Sequence, residues 1–193
     1  MHAVFTPREV AALSGATKAS VEKAIEEKVL APHRARRGGR DRRVLPAFAV
    51  AYSKIVRSLK YRMDLPMKRR LASKLLGTEA ADLASLRFEL EPAVEMDVGR
   101  LVGDAMVRAE TYGAARDRLI VEDPEVLGGT AVLRGTRLSV YSIGARLADG
   151  DAVEDLIADY PDLSPEAIEA AVIYAATHPL VGRPGGRPWT AVA

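Results

Sequence analysis

Apolar residues recur along this chain mostly at helical spacing, interrupted in the middle by strand-like alternation. Phe5-Thr6-Pro7-Arg8-Glu9-Val10-Ala11-Ala12-Leu13 reads as a short helix. Thr6 suits its N-cap, Pro7 its first position, and Glu9 stands three residues past Thr6, where it completes a capping box. Ser14-Gly15 closes this helix, and Thr17 caps a second one with Val21, Ile25 and Val29 as its buried stripe. Two short helices around a Gly-containing turn predict a helix-turn-helix unit, although a generic helical hairpin has the same pattern. After Pro46, the residues Phe48, Tyr52, Ile55, Val56 and Leu59 share one face of a third helix, and Asp64-Leu65-Pro66 opens a fourth that Gly77 ends. Leu86-Arg87-Phe88-Glu89-Leu90-Glu91 and Val94-Glu95-Met96-Asp97-Val98 alternate, which predicts a small antiparallel pair. Val98, Leu101, Val102, Ala105, Met106, Ala109 and Tyr112 then form a long helical stripe, read as core with a dimer interface as the alternative.

Beyond it, Leu119-Ile120-Val121 is a short strand candidate, followed by a glycine-rich turn and three helices. The first helix runs from about Val140 to Asp149 and stops at Gly150. The second takes Asp151 as its cap with Glu154 three residues on. The third takes Ser164 and Pro165, with Ile168, Val172 and Ala175 as its stripe. The glycines at 128, 129 and 135 fit neither a Walker-type nor a dinucleotide-type loop, so they are read as structural turns. The fold class expected is mainly α with small β elements (α+β).

Composition narrows the chemistry. The 193 residues hold one large domain or two small ones, and 48% hydrophobic residues supply a core. The absence of Cys excludes disulfides, thiolate metal sites and cysteine nucleophiles. His2, His33 and His178 are the only histidines, none in ligand spacing, and no Gly-x-Ser-x-Gly elbow occurs. Acid pairs such as Glu154-Asp155 belong to helix starts. No catalytic residue, metal or cofactor is therefore expected. No leader-like segment and no apolar run near the roughly 20 residues that span a bilayer is present, so a cytoplasmic location without membrane attachment is expected.

Charge changes the picture more. Residues 1–75 carry 18 Lys/Arg against 6 Asp/Glu, a net of +12, whereas residues 76–193 carry 10 against 20, a net of −10. Such a split points the basic half at a polyanion, with mutual attraction of the two halves as the alternative. The stretch from Arg34 to Arg43 packs six arginines (Arg34, Arg36, Arg37, Arg40, Arg42 and Arg43) and one acid around Gly38-Gly39. Gly-Gly is a two-residue hairpin turn, so these side chains would decorate a β-hairpin wing that grips phosphates; a disordered basic loop is the bland alternative. Lys18, Ser20 and Lys23 on the second helix are the groove-facing candidates.

The stretch from Phe5 to about Leu59 resembles the winged helix-turn-helix of MerR-type regulators. The likeness rests on Gly15-Ala16-Thr17, the Val29-Leu30-Ala31-Pro32 exit, the Arg-Gly wing and the helix after Pro46. It lacks that family's usual aromatic pair in the recognition helix and its wing tyrosine, so base specificity does not transfer. A second, stronger resemblance spans roughly 118–176. Gly128-Gly129-Thr130-Ala131-Val132-Leu133-Arg134-Gly135-Thr136-Arg137-Leu138-Ser139-Val140, the Ala148-Asp149-Gly150 stop and Asp159-Tyr160-Pro161-Asp162-Leu163-Ser164-Pro165-Glu166-Ala167-Ile168-Glu169-Ala170-Ala171 look like the VapB-type antitoxin domain family, domain of unknown function number 433.

That second resemblance implies a C-terminal three-helix, helix-turn-helix-like unit that dimerises, and a cognate PIN-type ribonuclease toxin whose acidic metal pocket is blocked by a basic extended segment. Arg183, Arg187 and Trp189 in the Gly/Pro-rich tail are the candidates for this contact, with an unimportant terminus as the alternative. The expected organisation is a DNA-binding domain over 1–77, linker strands and a long, possible dimerisation helix over 78–117, the antitoxin-type domain over 118–176, and a toxin-binding tail over 177–193. The function expected is a homodimeric type II antitoxin that binds operator DNA and represses its own operon. The alternatives are a MerR-like regulator with an effector-binding acidic half and no toxin, or a DNA-binding adaptor that recruits another protein.

Overall fold

In the computed structural model, residues 3–37, 40–59 and 62–180 are described. Short strand β1 (Val4–Phe5) leads into α1 (Pro7–Ser14) and α2 (Lys18–Glu26). The Thr6–Glu9 capping box forms on α1: the Glu9 N–H donates to Thr6 Oγ1 at 3.3 Å and the Thr6 N–H to Glu9 Oε2 at 2.7 Å. Gly15 ends α1 at φ 69°, where a Cβ would come within 2.7 Å of the Arg57 guanidinium. Thr17 Oγ1 then caps α2 by accepting the Ser20 N–H at 3.1 Å.

The antiparallel strands β2 (His33–Arg37) and β3 (Arg40–Pro46) follow, and β1 joins β3 on its other side, giving the order β1-β3-β2. Register runs from His33 opposite Val44 to Arg37 opposite Arg40. Helices α3 (Phe48–Ser58) and α4 (Leu65–Leu76, capped by Asp64) complete this part. A 3-10 turn over Ala80–Ser85 leads to the antiparallel pair β4 (Arg87–Glu91) and β5 (Val94–Asp97), as the alternation predicted.

Helix α5 (Val98–Leu119) extends two turns beyond the apolar stripe read from sequence. Val98, Val102, Ala105, Ala109, Tyr112 and Ala115 are buried in one cluster with Val10, Leu45, Val50, Tyr52, Ile55, Leu71 and Leu75, so this face is core. Gly99 permits the 3-10 turn to lie on α5, since a Cβ there would stand 2.1 Å from the Ala84 carbonyl oxygen.

Strands β6 (Ile120–Val121) and β7 (Val132–Leu133) pair antiparallel before α6 (Val140–Ala148), α7 (Val153–Asp159) and α8 (Pro165–Thr177). The cap of α7 differs from the sequence expectation. Asp151 is drawn to Arg146 at 2.5 Å, so the helix starts one residue later, with Asp155 accepting the Ala152 N–H at 3.0 Å. The stripe on α8 is wider than expected because this helix serves two cores. Ala170 and Ile173 pack into the first cluster, whereas Ile168, Ala171 and Tyr174 pack with Leu133, Ile143 and Leu156 in the second. The molecule is thus mixed α and β, mainly helical with small antiparallel sheets.

Candidate nucleic-acid interface

Helix α2 buries Val21 and Ala24 and leaves Lys18, Ser20 and Lys23 exposed on its opposite side. Beside it, the two faces of the β2–β3 hairpin carry different environments. Directly opposed residues of an antiparallel pair share a face, so Arg34 and Arg43 lie together with Arg36 and Asp41. On this face Arg34 and Arg36 are exposed, and Arg43 makes a forked contact to Glu22 of α2 at 2.5 and 2.6 Å. This pair is half exposed, and phosphate can replace Glu22 at little cost.

On the other face Arg42, opposite Ala35, turns away from α2. Its Nη2 lies 2.6 Å from Glu122 Oε1, just past β6, and the same oxygen accepts the hydroxyl hydrogen of Tyr174. The two charged side chains are only 21% and 13% exposed. Arg37 and Arg40 oppose each other at the far end of the pair, but their side chains lie outside the described residues.

The basic surface continues over α4, where Arg62, Arg69, Arg70 and Lys74 are exposed. Lys68 pairs with Glu27 at 2.8 Å, and this hydrogen bond holds the Glu27 carboxyl below its usual range. Arg69 donates to the Glu27 carbonyl at 3.1 Å, and Arg70 reaches the Glu89 carbonyl across the Phe88 ring.

Behind this surface is a buried polar junction that sequence reasoning missed. Arg116, on the inward face of α5, donates to Glu9 Oε1 at 2.7 Å and to the Val4 carbonyl at 3.1 Å. The Tyr112 hydroxyl donates to Glu9 Oε1 at 2.6 Å. Burial opposes the Glu9 charge, but Arg116, with His178, Tyr112 and the Thr6 N–H, outweighs it and holds the carboxyl below its usual range. Burial, then Glu9, pushes the Tyr112 phenol upward. His178 stacks on Tyr174 with 4.0 Å between ring centres, its carbonyl accepts the Tyr141 hydroxyl at 2.7 Å, and burial lowers its imidazole pKa. A capped helix start accounts for Glu9 in the sequence, and one arginine in a long helix carries no mark of burial; only their placement 107 positions apart reveals the pair.

The outer face of α5 forms an apolar trough of about 580 Å³ with Phe5, Leu83, Val102, Met106 and Val107. Val107 is 63% exposed, and Leu76, on the adjoining α4, is 65% exposed. Arg183, Arg187 and Trp189 lie outside the described residues. Among the described residues, no three His, Asp or Glu side chains converge where they could hold a metal ion, and no helix is long and apolar enough to cross a membrane.

Residues 120–175 match the family model described as a protein of unknown function (DUF433), so a DUF433 region occupies the segment from β6 to α8. Over 88 residues, 46% of this chain, the protein is 40% identical to the uncharacterized protein y4eO of Sinorhizobium fredii (strain NBRC 101917 / NGR234). The matched part spans 39% of that relative's length. No solved structure matches this chain.

Proposed function

We propose that this protein is the antitoxin of a type II toxin–antitoxin system, which binds operator DNA as a homodimer and represses its own operon. In this reading α1, α2 and the β2–β3 hairpin act as a winged helix-turn-helix: Lys18, Ser20 and Lys23 enter the groove, while the wing arginines take phosphates. The observation that carries it is the exposure of Lys18 and Lys23 on one side of α2, beside a hairpin whose Arg34 and Arg36 are also exposed. The acidic half of the chain does not neutralise these groups; its described ion pair to the wing involves Arg42 instead.

The antitoxin role rests on the DUF433 region and its resemblance to VapB-type domains. A PIN-type ribonuclease gathers carboxylates around a metal, and Arg183 and Arg187 would pair with them in forked geometry, with Trp189 as the apolar anchor. The test is co-expression with the product of the adjacent reading frame, comparing the full chain with one ending at Leu180. The shortened chain keeps His178 and its packing on Tyr174. Co-purification that needs the last thirteen residues supports the antitoxin reading. A lack of any complex with the full chain overturns it.

The apolar trough on α5 favours a second reading, a stand-alone MerR-like regulator with a small apolar effector. Its volume of about 580 Å³ lies within the usual range for a small-molecule site. An effector that shifts the DNA affinity of the full chain without any toxin would favour this reading.

A further inference from the structure

We infer that Arg42 is a positioning residue: with Glu122 and Tyr174 it forms a latch by which the DUF433 region sets the orientation of the wing. The inference rests on the DNA-binding reading above and adds a contribution from residues that do not touch DNA. Among six clustered arginines, Arg42 has the composition of a phosphate ligand but not its surroundings. Its guanidinium is mostly covered and aimed at Glu122, away from the face that carries Arg34, Arg36 and Arg43. Reaching a phosphate would require it to abandon Glu122, whose covered carboxylate would keep only the Tyr174 hydroxyl on that oxygen. Uncompensated burial of a charge costs more than an exposed phosphate contact returns.

The hairpin also needs such a fastening. At its base it is held by the short β1–β3 pairing, Val4 with Pro46 and Phe5 with Leu45, and on its outer face by the exposed Arg43–Glu22 pair. The inner face is fixed by Arg42–Glu122, and Glu122 is fixed in turn by Tyr174 on α8, the helix shared by both cores. The angle between wing and α2 therefore depends on the C-terminal region.

The test measures binding of the full chain to the DNA upstream of its own gene as a function of salt, for wild type, Arg36→Gln, Arg42→Gln, Glu122→Gln and the Arg42→Gln/Glu122→Gln double variant. Loss of a true phosphate ligand lowers the slope of log affinity against log salt by about 1, which is expected for Arg36→Gln. Arg42→Gln and Glu122→Gln are each expected to weaken binding about tenfold with the slope unchanged, and the double variant to be no weaker than either. The double variant leaves no lone buried charge, so it keeps the test valid if a single variant unfolds. A slope reduced by about 1 in Arg42→Gln, or tighter binding in Glu122→Gln, would overturn the latch. Wild-type binding that is absent or insensitive to salt would instead remove the DNA-binding reading beneath it.

Discussion

A carboxylate as buried as that of Glu9 stays ionised because Arg116, Tyr112 and the Thr6 N–H all direct hydrogen bonds at it. Arg116 in turn lies over the rings of Phe5 and Tyr112 at 5.3 and 5.4 Å, so strand β1, α1 and α5 are joined through one guanidinium. Arg116→Met should lower the unfolding free energy by about 3–5 kcal/mol in urea titrations, because Glu9 is left without its partner. Adding Glu9→Gln to that variant should recover part of the loss. Two titrations carry opposite chemistry but the same direction. The Glu9 carboxyl is lowered in the folded protein, so its contribution is present above the ordinary value of 4.5 and lost as pH falls below it. His178 is also lowered, from 6.5, since burial disfavours its cation; its contribution is present above 6.5 and declines as pH falls below that value. Thermal melts should therefore already lose stability on acidification below about 6.5, and His178→Phe, which retains an aromatic ring against Tyr174, should remove that first decline. Unchanged melts between neutral and mildly acidic pH would contradict the burial of His178.

At the level of elements, capping chemistry and periodicity made much of the chain legible. Thr6, Thr17, Asp64 and Ser164 all cap the helices their positions indicated, and the alternation at 86–98 became β4 and β5. What local pattern could not supply was partnership. The strand alternation of the hairpin gives two faces but not which of them meets the C-terminal region, so six arginines looked equivalent until Arg42 was found at Glu122 and Arg43 at Glu22. Likewise, the width of the buried surface on α8 follows from two cores meeting on it, which no single stripe encodes. Close approach of the 3-10 turn to α5 is another non-local fact with a simple test. Gly99→Ala must displace the Ala84 carbonyl, and should cost about 1–3 kcal/mol in thermal or urea unfolding. An unaffected stability would mean that the turn is not held against α5.

On the scale of the whole molecule, the two apolar clusters are not independent. Leu119 and Ile120 pack against both, α8 contributes to both, and the Glu9–Arg116 and Arg42–Glu122 pairs link distant parts of the chain. Thermal unfolding followed by far-ultraviolet and tyrosine circular dichroism should therefore give one coincident transition; two separated transitions would contradict this coupling. The charge split seen in the sequence survives in space as an exposed basic surface on α2, the hairpin and α4, opposite in sign to the C-terminal half. The most direct test of the account is the salt dependence of binding to DNA from upstream of the chain's own gene, for wild type and the Arg34→Gln/Arg36→Gln variant. With about 6–10 phosphate contacts per dimer, wild-type affinity should fall by about 10³–10⁵ between 50 and 200 mM salt, and the double variant should lose about 2 from the slope. A flat wild-type response, or an unchanged slope in the variant, would contradict the assignment of this surface to DNA.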